Sequence, residues 1–346
     1  AAGSAGGAPL DVDDVFSTYL YNGTNAKNHV INNGVDLSGE GGLVWIKSRD
    51  VARNHALYDT ERGVNKYLSS NTTSATTDLS NANDQGLKAF NSNGFTLDDN
   101  ELVNANDPGL ASWTFRKAPK FFDVVTYTGN GSNQNISHNL GCVPGFVMVK
   151  GTSNTGNWSC WHNSLADAND YILLNASSAA ISAGAGYDRT VTDSTYMIQG
   201  AYADEGFNGR TYVMYLFAHN DGDGEFGPDG DQDIIKCGGY NGNNAGVEID
   251  LGFEAQWFMC KKSNGGDTGT GDWEIFDVMR GMHFNPNSQS VRLSPNTNGV
   301  ETSKLIIGPS PTGVSIPDAT ANVNINGGTY IYMAIRRGSL FPPEAA

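Results

Sequence analysis

The sequence predicts an all-β protein, built as three tandem β-sandwich repeats of jelly-roll or lectin-like type, each about 100 residues long. The first observation behind this is a motif that recurs without a gap. Residues 36–47 read DLSGEGGLVWIK, 139–150 read NLGCVPGFVMVK and 250–261 read DLGFEAQWFMCK. Each copy is an acid or amide, a leucine, a turn, then a short apolar run closed by lysine, the pattern of a buried strand entered from a turn. The second observation is composition. Hydrophobic residues make up 38% of the chain and charged ones 17%, while glycine alone supplies 43 of 346 residues. Many short strands joined by turns account for this balance better than helices do. The third is spacing. The motif lysines Lys47, Lys150 and Lys261 stand 103 and 111 positions apart, enough chain for a small sandwich with its own core.

Each repeat opens on a β-rich run that meets a tyrosine and a glycine turn: VFSTYLYNG at 15–23, FDVVTYTGNG at 122–131 and IIKCGGYNG at 234–242. Asn-Gly and Gly-Asn pairs favour the positive φ of a tight turn. A second short strand follows, then the lysine motif. Next comes a strand read as NHALYD at 54–59, NWSCWH at 157–162 and DWEIFD at 272–277. Alternation puts Trp158, Cys160 and His162 on one face and Trp161 on the other. A further strand ends in asparagine: KYLSSN at 66–71, YILLN at 171–175 and VRLSPN at 291–296. An aromatic-rich strand closes each repeat, at 110–117, 212–219 and 330–337. Helix is expected to be scarce, at most a turn between Tyr58 and Leu68. The boundaries predicted are a linker at 1–12, repeats at 13–118, 119–228 and 229–338, and a proline-bearing tail at 339–346, an exit linker or an arm on a neighbour.

The chain carries 21 basic against 37 acidic residues, a formal charge of −16. No cluster of lysine and arginine offers a phosphate-binding face, so nucleic acid and anionic membranes are not expected partners. No apolar run is long enough to span a bilayer, and the opening AAGSAGGAPL reads as a flexible linker rather than a secretion signal. The four cysteines lack metal-site spacing. Cys160 shares its repeat position with Leu57 and Ile275, and Cys260 with Ile46 and Val149, so small buried hydrophobes in a chain folded in a reducing cytoplasm are expected.

Two sets of residues are candidate sites. Asp221, Asp223, Glu225, Asp229, Asp231 and Asp233 alternate with glycines in the stretch joining the second and third repeats, the kind of oxygen-rich loop that wraps Ca²⁺. The alternative is a solvated acidic turn. Trp158, Trp161, Tyr240 and Trp273 are candidates for stacking on sugar rings. Against that, Trp158 and Trp273 share a repeat position, as core residues would. No nucleophile-elbow, zinc-protease or phosphate-loop motif occurs, and no enzyme is expected.

The segments VDDVFSTYLY (12–21), GLVWIK (42–47), DTERGVNK (59–66), ASWTFRKAPKFF (111–122) and FAHNDGDGE (217–225) resemble virion structural proteins of tailed phages, especially marine ones, of the tail-fibre and appendage kind. The resemblance implies a non-enzymatic particle component, assembled in the host cytoplasm, that contacts other virion proteins and copies of itself. A trimer is expected, or three repeats that imitate a threefold ring within one chain. A host surface glycan is a further expected partner. Alternatives are a capsid decoration protein, a secreted carbohydrate-binding adhesin and a polysaccharide depolymerase. Coiled-coil heptads and collagen-like triplets are absent, which argues against a shaft and leaves a globular head, a decoration or a subunit of a larger appendage.

Overall fold

The computed structural model describes residues 9–83, 85–106, 108–183, 189–200, 202, 204–265, 271–283, 288–305, 307–317 and 322–338. The expected tail at 339–346 and most of the expected N-terminal linker lie outside them. The chain is an all-β sandwich protein. Its described helices are the four-residue turns Val12–Val15 and Glu101–Asn104 and the 3-10 turn Val278–Arg280.

Three large antiparallel sheets dominate, of six, five and four strands. The first runs in the order Phe16–Asn22, Gly109–Arg116, Gly42–Ser48, Ala56–Asp59, Lys66–Leu68, Thr77–Asp78. The second runs Phe122–Thr128, Thr211–Ala218, Pro144–Gly151, Trp158–His162, Ile172–Leu173. The third runs Ile235–Asn241, Gly328–Arg336, Ala255–Gly265, Glu274–Asp277. Each sheet therefore places its unit's closing strand between its opening strand and the strand of the lysine motif. Every strand pair within these sheets is antiparallel.

A smaller sheet covers the outer face of each large one. In the first unit it is His29–Asn32, Gly94–Leu97 and Leu87–Asn91; in the second Gln134–Ser137 with Thr195–Ile198; in the third Val247–Asp250, Gly313–Ile316 and Gly308–Ser310. In the first unit Val44, Ile46, Ala56 and Tyr58 meet Ile31, Leu87, Phe95 and Leu97 in an outer core. In the third, Phe258, Cys260 and Phe276 meet Ile249, Val314 and Ile316.

The expectation that each repeat holds a separate core needs correcting. The inner faces of all three large sheets share one core, which joins Trp45, Trp113 and Phe115 to Phe146, Trp158 and Phe217 and to Trp257, Trp273 and Ile335. Phe115 stands 5.3 Å from Phe217 and 6.0 Å from Trp257, ring centre to ring centre. Both faces of the large sheets are thus buried, and strands Gly42–Ser48 and Pro144–Gly151 are buried at every residue. That is why the lysine motif reads as a continuous apolar run rather than an alternation.

The opening strands all start at the same end. Phe16, Phe122 and Ile235 pair with Phe115, Phe217 and Ile335 at the ends of the closing strands, and all six side chains lie in the shared core. This is the near end. Leu10 reaches it too, its carbonyl accepting from Gly227 N at 2.9 Å, so the N-terminal linker is already packed by that residue. The motif lysines lie toward the opposite, far end.

Candidate functional site

The inner interface is built from one set of bonds used three times. The strand after the lysine motif is entered at His55, Trp158 or Trp273, which hold one repeat position. Trp158 Nε1 donates to Ser69 O of the first unit at 2.9 Å, and Trp273 Nε1 to Leu173 O of the second at 2.9 Å. His55 Nε2 meets Ser294 O of the third at 3.1 Å. The acceptors hold equivalent places two residues before Asn71, Asn175 and Asn296. Those asparagines fix the donors: their Oδ1 atoms accept from His55 N, Trp158 N and Trp273 N at 3.0, 2.8 and 2.9 Å. The series runs second to first, third to second and first to third, so it closes.

A second closed series lies nearer the near end. Asp59 and Asp277 each accept from an arginine three residues on, Arg62 at 2.6 Å and Arg280 at 2.5 Å. Each then receives a donor from the next unit: Tyr215 OH to Asp59 at 2.7 Å and Trp113 Nε1 to Asp277 at 3.0 Å. In the second unit His162 takes the aspartate's place and meets Tyr332 O at 2.9 Å. Both histidines are neutral Nε2–H tautomers by their contacts. Trp45 Nε1 donates to His55 Nδ1 and Ser164 N to His162 Nδ1, leaving Nε2 as donor to a carbonyl. Burial pushes His55 well below its usual pKa and His162 down to about 4.

The motif lysines complete the far end. All three are fully buried. Lys150 donates to Thr73 O at 3.2 Å and Lys261 to Ser177 O at 2.9 Å, each a carbonyl of the preceding unit, while Lys47 donates to Ser48 O at 2.7 Å. Burial draws each amine down to about 8. All three ammonium groups are thus taken up by backbone carbonyls.

Of the candidate sugar-stacking residues, Trp158 and Trp273 fall inside this framework and Trp161 and Tyr240 pack within their own units, which corrects that expectation. Trp158 is 0%, Trp273 2% and Trp161 6% exposed. Trp161 donates its indole N–H to Ala168 O at 2.8 Å. Tyr240 lies flat against Tyr330, ring centres 4.8 Å apart, and donates to Val323 O at 2.7 Å. Tryptophan is the largest apolar side chain available to fill a three-sheet junction, and its single N–H finds a carbonyl there.

The acidic loop also differs from the Ca²⁺ expectation. Asp233 caps the turn, accepting from Gly222 N at 2.8 Å and Gly224 N at 2.9 Å. Lys120 pairs with Glu225 at 3.0 Å and Asp223 at 3.7 Å, and Lys236 with Asp221 at 3.3 Å. Asp229 and Asp231 are exposed. Among the described residues no group of three histidine, cysteine or acidic side chains is placed to hold a metal. The carboxylates are spread over lysines and amides because Phe226, 2% exposed and edge-on to Phe121, pins the middle of the loop to the core.

Two open clefts occupy matching places at the near-end rim. One, about 570 Å³, is lined by the turn Leu37–Gly41, by Thr60, Glu61 and Val64, and by the edge strand at Lys88, Ala89 and Phe90. The other, about 540 Å³, has Glu254, Val278, Met282 and His283 beside Pro309 and Pro311. Glu254 answers to Glu40 in the aligned motif, and Val278 and Met282 to Thr60 and Val64.

One family model matches the chain over residues 11–337, spanning all three large sheets. The chain belongs to the family described as a domain of unknown function, DUF7483. No curated protein matches it. The four cysteines of this DUF7483 chain are free thiols. No described helix is long and apolar enough to cross a membrane.

Sequence reasoning missed the Asp-x-x-Arg pairs, although Asp59–Arg62 and Asp277–Arg280 repeat the same spacing at the same place. It also missed the two rim clefts, whose walls come from three separate stretches of the first unit and four of the third.

Proposed function

We propose that this chain is a non-enzymatic structural protein of a virus particle, a globular component of a tail fibre or other appendage that works through protein contacts. The observation that carries the reading is the closed series of bonds between the three units. Buried aromatic and charged side chains are spent on joining sheets. The lysines, aspartates and histidines that could do chemistry are held by carbonyls, arginines and indoles instead. Such a body suits a rigid mounted head. Its opening strands, its inter-unit connections and the last described residues gather at the near end, so attachment there leaves the far end free. The sequence resemblance to phage appendage proteins points the same way. One chain supplies its own threefold-like arrangement, so we favour a monomeric head over a homotrimer.

Two measurements test this. Antibody raised against the chain should label appendages on purified particles, and absence of the protein from such particles ends the reading. Light scattering should return the chain mass of 36.8 kDa, and three times that mass would restore the homotrimer.

A further inference from the structure

We infer that the rim cleft of the first unit is a binding site for a neutral oligosaccharide, one per chain. The inference does not rest on the particle reading. The cleft is open, and its volume of about 570 Å³ has room for a short run of hexose units. Its walls differ in kind. Val64, 39% exposed, and the partly exposed Ala89 and Phe90 supply an apolar side. Glu40 and Glu61 supply carboxylate acceptors, and the bare backbone of Gly39 and Gly41 allows close approach, while Lys88 borders the cleft with its ammonium donating to Asn28 Oδ1 at 2.8 Å. Gly41 has φ +84°, and a Cβ there would lie 2.5 Å from Thr60 Oγ1, so the turn keeps this wall free of a side chain. A sugar ring needs this combination, hydroxyls at its edge and C–H groups on its face.

Other ligand classes fit less well. Glu61 is already paired with Lys117 at 3.0 Å, and Arg116 stands 3.8 Å from Glu40, so the two carboxylates are not a free cation cage. An anion would meet Glu40 and Glu61. A wholly apolar segment would leave these acids and Lys88 desolvated.

The matching cleft of the third unit sharpens the point. Its walls are Val278, Met282, Pro309 and Pro311, with His283 and Ser310 between them, and its glutamate, Glu254, is held by Arg337 at 2.5 Å. Its lining is mainly apolar and its carboxylate is already taken by an arginine, so one site per chain is expected from a body of three similar units.

The test uses the intact chain with chitotriose, cellotriose, mannotriose and maltotriose, followed by saturation-transfer NMR and calorimetry. At least one should bind at millimolar concentration or below with a stoichiometry of one. Glu40→Ala and Phe90→Ala should each weaken it by roughly tenfold or more, while Glu254→Ala leaves it unchanged. Glu40 is mostly solvated, so Glu40→Ala should melt as the parent does. The inference is overturned if none of the four sugars binds, if binding survives both first-unit substitutions, or if Glu254→Ala weakens it equally.

Discussion

The inner and outer faces of the large sheets follow different rules. On the inner face, equivalent positions make equivalent bonds. The carbonyls of Ser69, Leu173 and Ser294 all accept from an aromatic ring N–H of the next unit. On the outer face each unit has its own solution. The first is apolar around Tyr58 and Phe95. The second buries Glu205 with Arg189 at 3.2 Å, Ser159 donating to the same carboxylate at 2.7 Å. The third buries Glu274 against Arg292, with Asn322 at 2.6 Å. A residue on the inner face must fit two neighbours at once, because the bonds close on themselves. A residue on the outer face answers to its own small sheet alone and can change with it.

The largest expected effect comes from breaking the inner face. Trp158→Ala removes a fully buried ring and orphans Ser69 O, so a loss of about 3–5 kcal/mol is expected from urea denaturation. If the three units share a core, unfolding should remain a single transition in both proteins. Separate transitions for separate units would break the comparison.

Asp59→Ala should cost a similar or slightly smaller amount, about 3–4 kcal/mol, since it leaves Arg62 buried without its partner. A double-mutant cycle with Tyr215→Phe isolates the bond between units. Coupling near zero would mean that the aspartate serves its own unit alone.

Acid should weaken the inner face first. His162 has its folded pKa drawn down to about 4 from an ordinary 6.5. Between these values the unfolded chain binds the extra proton. The stabilisation is therefore present above pH 6.5 and is lost as pH falls toward 4. For this one fully buried group the loss is on the order of 3 kcal/mol. His162→Gln should flatten that slope in melts taken between pH 6.5 and 4, and an unchanged slope would remove His162 from the account.

The smallest effect is expected at the rim. Arg337 and Glu254 pair at 2.5 Å but are 40% and 37% exposed. Arg337→Ala should change stability by at most about 1 kcal/mol, and a larger loss would show that the outer rim is also coupled to the core.

Much of the architecture was legible in the chain. The apolar run ending in Lys47, Lys150 or Lys261 marks a strand buried on both sides, and the alternation at Trp158 correctly separates it from Trp161. The shared position of Trp158 and Trp273 already argued for core over sugar binding. The acidic stretch at 221–233 misled because spacing suggests convergence, whereas convergence depends on where Phe226 anchors the loop. The rim cleft left no local signal, since Glu40, Glu61 and Phe90 are remote from one another in the chain.

The sequence by itself determined strand content, turn positions and the recurrence of the lysine motif, because each depends on neighbours a few residues away. Tertiary structure decided that the inner faces merge, that Trp158 reaches Ser69 and Trp113 reaches Asp277, and that a cleft opens beside Phe90. Those outcomes depend on how three sheets pack around one axis. Packing brings together groups about a hundred residues or more apart, a distance over which no local propensity acts.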